Sequence, residues 1–248
     1  MNFFNNKKIL FYGPANNFDC NTDLSFFNEY DIVIINNKFI ELLQPNLTNI
    51  IRCNTKHFDI VLLLNGVFTN GNPETIQKYK DQVSLFLVSE NCLIGNLLNI
   101  DIPRNKIIAL TTNYRKFNFI GCPNMFPKLI MLFIDYNITF TELSITGITF
   151  YMDLLDNNKI TQTYHSDYHN WDTKIPKELM NLSNNDKMEF HLNRIVELGT
   201  NKEKLLNCTN VYNHFIDENF NFFLKYYKQF YKTIKLDDVL ENIIKKNY

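Results

Sequence analysis

Short apolar runs that alternate with amphipathic segments are the feature that most constrains the fold of this chain. Each run is rich in Val, Ile and Leu and too short for a typical helix, which is typical of a buried strand. The runs cover residues 8–13, 31–36, 49–54, 59–65, 84–89, 106–111 and 142–148. Continuously apolar strands that alternate with helices predict a mostly parallel sheet with helices on both faces. The expected fold class is therefore α/β, with a Rossmann-like sheet.

The segments between and after these strands predict the helices and one lid. Helical patterns occur at 73–82, 91–99, 125–137 and 186–198, and two further helices, the first rich in aromatic residues, are expected within about 214–248. The segment at about 152–185 is polar, contains many aromatic residues and lacks a sustained period. Such a stretch inside a compact domain is usually a functional lid or an inserted subdomain. Since no repeat or low-complexity linker divides the chain, a single domain over residues 1–248 is expected.

Charge and cysteine content bound the class of protein. The net charge is −1 and basic residues are interspersed with acidic ones, so the basic surface that nucleic-acid binding needs is not expected. The five cysteines are widely spaced, which favours buried thiols in a reducing compartment over disulfides or a zinc site. No apolar stretch is long enough for a signal peptide or a spanning helix. We therefore expect a soluble, cytoplasmic protein.

The carboxyl ends of parallel strands are where ligands bind in such folds, so the residues there are the first candidates. They are Gly13 and Pro14, Asn36 and Asn37, Asn65 and Gly66, and the segment from Gly147 to Tyr151. Asparagine can bond a base edge or a ribose hydroxyl, but it is also a common turn residue. The turn "YGPANNF" matches neither the dinucleotide fingerprint nor the P-loop. The sequence also lacks an Asp-x-Asp pair after a strand, which disfavours metal-dependent sugar transfer.

The segment "TYHSDYHNWD" is the candidate for acid–base chemistry. It places His165 and His169 beside Tyr164 and Tyr168 within ten residues. A neutral histidine can accept a proton from a hydroxyl nucleophile, and a tyrosine hydroxyl can bond a phosphate. Two alternatives stay open: the aromatic side chains only pack in a surface lid, or the two histidines belong to a zinc site. His191 lies on the apolar side of its predicted helix, which favours a core role.

The order of these segments resembles the bacterial sialyltransferases of glycosyltransferase family 42 and, more distantly, the sialyl-motif enzymes of family 29. The resemblance rests on "KKILFYGPAN", "YDIVIIN", "DIVLLLN" and "FTELSITGITFY", and it extends over roughly residues 7 to 199. It implies a nucleotide-sugar-binding, GT-A-variant-like fold. It also implies direct, inverting transfer of a sugar from a CMP-activated donor to an acceptor hydroxyl, without a metal or another cofactor.

The resemblance also implies roles for individual residues. Asn36 and Asn65 would contact the cytidine or phosphate, and the turn formed by Gly13, Pro14 and Ala15 would pass beneath the nucleotide. Tyr151, with Tyr164 or Tyr168, would hydrogen-bond the leaving phosphate. The implied partners are a nucleotide-sugar donor and a glycan or glycolipid acceptor, with no nucleic acid and with peripheral membrane association as an option.

Several positions depart from the family pattern. Tyr12 stands where the family has an Asn in the first turn, and Pro123 and Asn124 replace a small pair at the start of a helix. Asn184 or Asn185 occupies the position of the expected histidine base, and asparagine cannot accept a proton at neutral pH. Either His165 or His169 then supplies the base, or the protein binds a nucleotide or glycan without efficient transfer. A different Rossmann enzyme, such as a methyltransferase, would lack the usual glycine-rich support.

Overall fold

The computed structural model describes most of the residues that form the predicted sheet. The described residues are 2–13, 23–36, 40–64, 73–89, 100–110, 114–119, 123–148, 150 and 216–246. The predicted helices at 91–99 and 186–198 and the predicted lid at about 152–185 lie outside them.

The described strands form one seven-stranded sheet in which every neighbouring pair is parallel. They are β1 (Lys7–Tyr12), β2 (Ile32–Ile35), β3 (Asp59–Leu64), β4 (Leu85–Ser89), β5 (Ile107–Leu110), β6 (Phe140–Thr146) and β7 (Ile234–Leu236). Their order across the sheet is β5-β4-β3-β2-β1-β6-β7. The prediction of an α/β, Rossmann-like parallel sheet is confirmed.

Burial explains why these short segments form the centre of the sheet. Every residue of β2 and β4 is buried, and so are all but the first residue of β3. Strands that are buried on both faces need apolar side chains at every position, which is why the sequence shows continuous runs instead of alternation. Alternate strand residues on one face join a single core cluster with residues of the flanking helices. They are Leu10, Tyr12, Val33, Ile35, Ile60, Leu62, Leu64, Phe86 and Val88.

The described helices agree with most of the sequence-based predictions. They are α1 (Ile40–Cys53), α2 (Pro73–Tyr79), α3 (Met125–Asp135), α4 (Ile216–Phe230) and α5 (Asp238–Lys246), with 3₁₀ segments at Asn2–Phe4, Ser25–Glu29, Arg104–Lys106 and Tyr114–Phe117. The predictions for α2, α3, α4 and α5 are confirmed. Among the helices in the described ranges, none combines the length and apolar character needed to cross a membrane.

The observed sheet differs from the sequence-based prediction in two places. The run at 49–54, predicted as a strand, is the last turn of α1 and the residue that follows it. Its β-branched isoleucines suggested a strand, but Leu47 and Ile50 are buried at helical spacing on one face of α1. The sequence analysis also missed β7, which has three residues of which only Ile234 is buried. A strand this short, between two helices, has no periodicity of its own.

The chain divides into two compact units. The first contains residues 1–111, 132–149 and 227–248, and the second contains residues 112–131 and 150–226. All seven strands belong to the first unit. The prediction of one domain over residues 1–248 stays a prediction.

Aromatic side chains hold together the described part of the second unit. Phe150 stacks on Phe223 with ring centroids 5.0 Å apart, and it also contacts Phe126 and Phe220. The buried side chain of Asn219 accepts a hydrogen bond of 2.7 Å from the Asn124 N–H, just before α3. A side chain from α4 therefore satisfies one of the free backbone donors at the start of α3.

Candidate functional site

The position of β1 inside the sheet locates the candidate site. From β1 the chain adds β2, β3, β4 and β5 on one side, and it then places β6 and β7 on the other side. The direction of strand addition therefore reverses between β1 and β6. In open parallel sheets, ligands bind beyond the carboxyl ends of the strands at such a reversal. We call Gly13, Gly147 and Ile148 at this place, together with Asn36 at the end of the neighbouring strand β2, the switch-point edge.

Gly13 allows the ends of β1 and β6 to lie close together. Its N–H donates a hydrogen bond of 2.7 Å to the carbonyl of Thr146. A Cβ atom at this position would lie 2.7 Å from the carbonyl carbon of Gly147 and 2.8 Å from Cγ1 of Ile148. Both distances are shorter than van der Waals contact allows, and one of the atoms belongs to the backbone. Only glycine fits here without a shift of the chain at Gly147.

Gly147 is held in a left-handed conformation by a side chain from the end of β7. Its φ angle is 72°, which glycine adopts without steric cost. Its N–H donates a hydrogen bond of 2.8 Å to Oδ2 of Asp237. The other carboxylate oxygen of Asp237, Oδ1, accepts a hydrogen bond of 2.8 Å from the N–H of Leu240 in α5. One aspartate therefore connects the exit of β6 to the first turn of α5.

Asn36 lies at the same edge, directly after β2. Its backbone N–H donates a hydrogen bond of 3.0 Å to the carbonyl of Tyr12, the residue before Gly13. Its side chain is half-buried, and within the described part of the chain no other residue hydrogen-bonds its side-chain amide. An amide offers both donors and acceptors, which keeps Asn36 a candidate for contact with a polar ligand.

Tyr12 contributes to the core and not to the edge of the sheet. Its side chain is 4% exposed, and its ring meets the ring of Phe27 edge-on with centroids 5.3 Å apart. Burial raises the pKa of the Tyr12 phenol well above its ordinary value, so the side chain is neutral at physiological pH. The family resemblance expects an asparagine that contacts the nucleotide at this position. In this chain the side chain at that position packs in the core.

Phe150, just before the candidate Tyr151, has a strained backbone. Its φ angle is 53°, an unusual value for a bulky residue. The side chain is buried against the rings described above, and this packing offsets a strain of about 1 to 3 kcal/mol. Such strain is found more often near functional sites than elsewhere.

Most of the predicted site residues lie outside the described residues. The structure describes Gly13 and Asn36 and brings both to the switch-point edge. The others are Pro14, Ala15, Asn65, Tyr151, Tyr164, His165, Tyr168 and His169, and their predicted roles stay predictions. Within the described ranges, no group of three or more His, Cys, Asp or Glu side chains is arranged to hold a metal ion.

Sequence reasoning missed Asp237. The segment "LDDVLENIIKK" predicts a helix, and an aspartate just before an amphipathic helix is also a common N-cap signal. That signal predicts the bond to Leu240. The bond to Gly147 comes from a residue 90 positions away in the chain, and no local pattern indicates it.

Comparisons of the chain with protein-family models, with curated proteins and with solved structures returned no match.

Proposed function

We propose that this protein is a sialyltransferase-like glycosyltransferase that moves a sugar from a CMP-activated donor to an acceptor hydroxyl. The observation that carries the proposal is the switch-point edge. Gly13 and Asn36, two residues that the family resemblance assigns to the nucleotide, lie at neighbouring strand ends of a parallel sheet. This is the place where the fold class binds nucleotides.

In the proposed reaction the acceptor hydroxyl attacks the anomeric carbon of the donor sugar. The bond from that carbon to the phosphate oxygen breaks, CMP leaves with the electron pair, and the configuration at the carbon inverts. His165 or His169 accepts the proton of the attacking hydroxyl, because a neutral imidazole is basic enough near pH 7. No metal ion is required in this scheme.

Charge that develops on the leaving phosphate needs hydrogen-bond donors. The resemblance gives this role to Tyr151, together with Tyr164 or Tyr168. Donors that are already oriented toward the developing charge each contribute about 2 to 4 kcal/mol to the stability of a transition state. Phenol groups can do this without a positive charge that would also bind the product tightly.

A second candidate function is nucleotide or glycan binding without catalysis. Two specific observations favour it. Asn184 or Asn185 stands where the resemblance expects the histidine base, and Tyr12, which replaces a nucleotide-contacting asparagine, is buried in the core. The two candidates share the ligand and differ in turnover.

Two measurements on the full chain test these functions. The first is calorimetric titration with CMP, with UMP, GMP and S-adenosylmethionine as controls. Selective binding of CMP supports a CMP-sugar site, whereas selective binding of S-adenosylmethionine would indicate a methyltransferase. The second is hydrolysis of CMP-sialic acid by the same preparation. Hydrolysis supports the transferase, binding without hydrolysis supports the binding protein, and a lack of binding to any of the four ligands contradicts both.

A further inference from the structure

Asp237 has every hydrogen-bonding group engaged at the junction of β7, β6 and α5. Its N–H donates to the carbonyl of Ile145 at 3.1 Å, and its carbonyl accepts the N–H of Glu241 at 3.0 Å. Its carboxylate accepts the N–H of Gly147 through Oδ2 and the N–H of Leu240 through Oδ1, each at 2.8 Å. Capping of α5 needs only one of these oxygens. The second oxygen is directed to the switch-point edge.

The contact with Gly147 reaches Gly13 through the backbone. The Asp237 bond holds the N–H of Gly147, and the carbonyl of the same residue occupies the space where a Gly13 side chain would be. A change in the conformation of Gly147 would therefore move the surface against which the exit of β1 packs. The two glycines form the described floor of the switch-point edge, and Asp237 fixes their relative position.

Two backbone donors in the first turn of α5 are already engaged by Asp237. Free N–H groups in the first turn of a helix often bind phosphate. Here Asp237 accepts the N–H groups of Leu240 and Glu241. The carboxylate of Asp237 would also repel an anion placed close to it. We therefore expect a phosphate at this edge to bind on the side of β1 and β2, away from the Asp237 carboxylate.

We propose that Asp237 is a positioning residue for the nucleotide, an inference that rests on the proposed function. By holding Gly147, it keeps the floor of the switch-point edge in the conformation that accepts the nucleoside monophosphate part of the donor. Asp237 does not touch the ligand, so its removal lowers affinity through Gly147 and Gly13.

Three variants of the full chain separate this role from helix capping and from charge. Asp237→Ser keeps a good N-cap acceptor for Leu240 but is too short to reach Gly147 as well. Asp237→Asn keeps the size of the side chain, but its amide has one acceptor atom and cannot serve both N–H groups. Asp238→Asn is the matched control, because it removes the same charge from the neighbouring, exposed residue.

Two readouts are compared across these variants. The first, made without ligand, is amide hydrogen exchange at Gly147 and Leu240, resolved by NMR. The second is the dissociation constant for CMP by calorimetry. In Asp237→Ser, we expect the amide hydrogen of Gly147 to exchange at least about tenfold faster and that of Leu240 to stay protected. The same variant should bind CMP about tenfold more weakly. Asp238→Asn should match the wild type in both readouts, and Asp237→Asn should lose protection at one of the two amides.

The outcomes distinguish failure of this inference from failure of the proposed function. Faster exchange at Gly147 with unchanged CMP affinity would overturn the positioning role alone, and so would unchanged exchange at Gly147. If the wild-type protein does not bind CMP, the proposed function fails, and the positioning role for that ligand fails with it. Should Asp237→Ser unfold, Asp237→Asn supplies the test with a side chain of native size. If it loses protection at Gly147, CMP affinity should fall, and if it loses protection only at Leu240, CMP affinity should stay unchanged. The reverse result in either case would overturn the positioning role.

Discussion

The two ends of the parallel sheet use asparagine in different ways. At the amino end, both amide atoms of Asn54 bond the backbone of Phe58, each at 2.9 Å. Asn28 likewise bonds backbone groups on both sides of the loop after α1. At the carboxyl end, the Asn36 amide has no such partner among the described residues. Asparagine at the amino end therefore stabilises loops, whereas the proposed function assigns the Asn36 amide to a ligand.

Charged side chains show the same contrast. The ammonium of Lys8 lies 3.5 Å from a carboxylate oxygen of Glu29 and 3.5 Å from one of Glu142. Glu142 also pairs with Lys235 and accepts a hydrogen bond from Ser144. We call these five residues the amino-end network. Its charges neutralise one another, whereas at the switch-point edge backbone groups and one aspartate set the geometry. The difference teaches that side-chain pairs stabilise the amino end of the sheet, whereas the carboxyl end, where we propose that the ligand binds, is held by backbone groups and Asp237.

The largest effect that tests this comparison is expected for Gly13→Ala. The new methyl group would overlap the backbone of Gly147, so we expect a loss of about 2 to 3 kcal/mol in the free energy of unfolding together with loss of CMP binding. Urea denaturation and calorimetry measure the two effects. Gly147→Ala provides the comparison, since it should lose about 1 to 2 kcal/mol through left-handed strain. A stable Gly13→Ala protein that binds CMP normally would contradict the close packing at this edge.

Asn36→Ala is expected to separate binding from stability. Alanine keeps the backbone N–H that bonds Tyr12, so the melting temperature should stay near that of the wild type. Affinity for CMP should fall by about 1 to 3 kcal/mol if the amide bonds the ligand. Asn54→Ala is the opposite control, because it should lower stability by about 1 kcal/mol and leave affinity unchanged. Equal CMP affinity in both variants and the wild type would remove Asn36 from the site.

A smaller effect is expected for Glu142→Gln in the amino-end network. Burial alone would raise the pKa of Glu142, but bonds from Lys235 and Ser144 and the charge of Lys8 hold it below its ordinary value of 4.5. A lowered pKa in the folded state adds stability above the ordinary value, and that contribution is lost as the pH falls through the folded pKa. We expect the variant to lose about 1 kcal/mol at pH 7 and to match the wild type in strong acid.

Urea denaturation of Glu142→Gln and the wild type at several pH values measures the difference between their free energies of unfolding. A constant difference across the acid range would contradict the ionic origin of the effect. Affinity for CMP should not change, and a large change would break the contrast between the two ends of the sheet.

The smallest effect is expected for Glu241→Gln on α5. Its ion pair with Lys245 spans one helical turn, and both side chains are exposed. Such pairs contribute about 0.3 to 0.5 kcal/mol, so the variant should be close to the wild type in thermal unfolding. A loss as large as that of Glu142→Gln would show that burial does not distinguish the two ion pairs.

The sequence predicts the central strands of the sheet because these strands are buried on both faces, and such burial requires a continuous apolar run. The run at 49–54 contains isoleucines, which are common in strands, but here they belong to the end of α1. The sequence could not predict β7, whose place depends on pairing with β6. In the candidate site, strand ends pointed to Gly13 and Asn36. The role of Asp237 depends on a contact between distant segments, which no local pattern encodes.

The pairing of β1 also determines the order in which the sheet can be completed. β2 can join β1 early in synthesis, but β6, the other neighbour of β1, begins only at Phe140. Until then, one edge of the central strand exposes unpaired backbone groups that other chains could bind. Asp237 is synthesised later still. A nascent chain that ends before residue 237 has no acceptor from Asp237 for the Gly147 N–H, so the bond that holds the exit of β6 forms only after residue 237 has been synthesised.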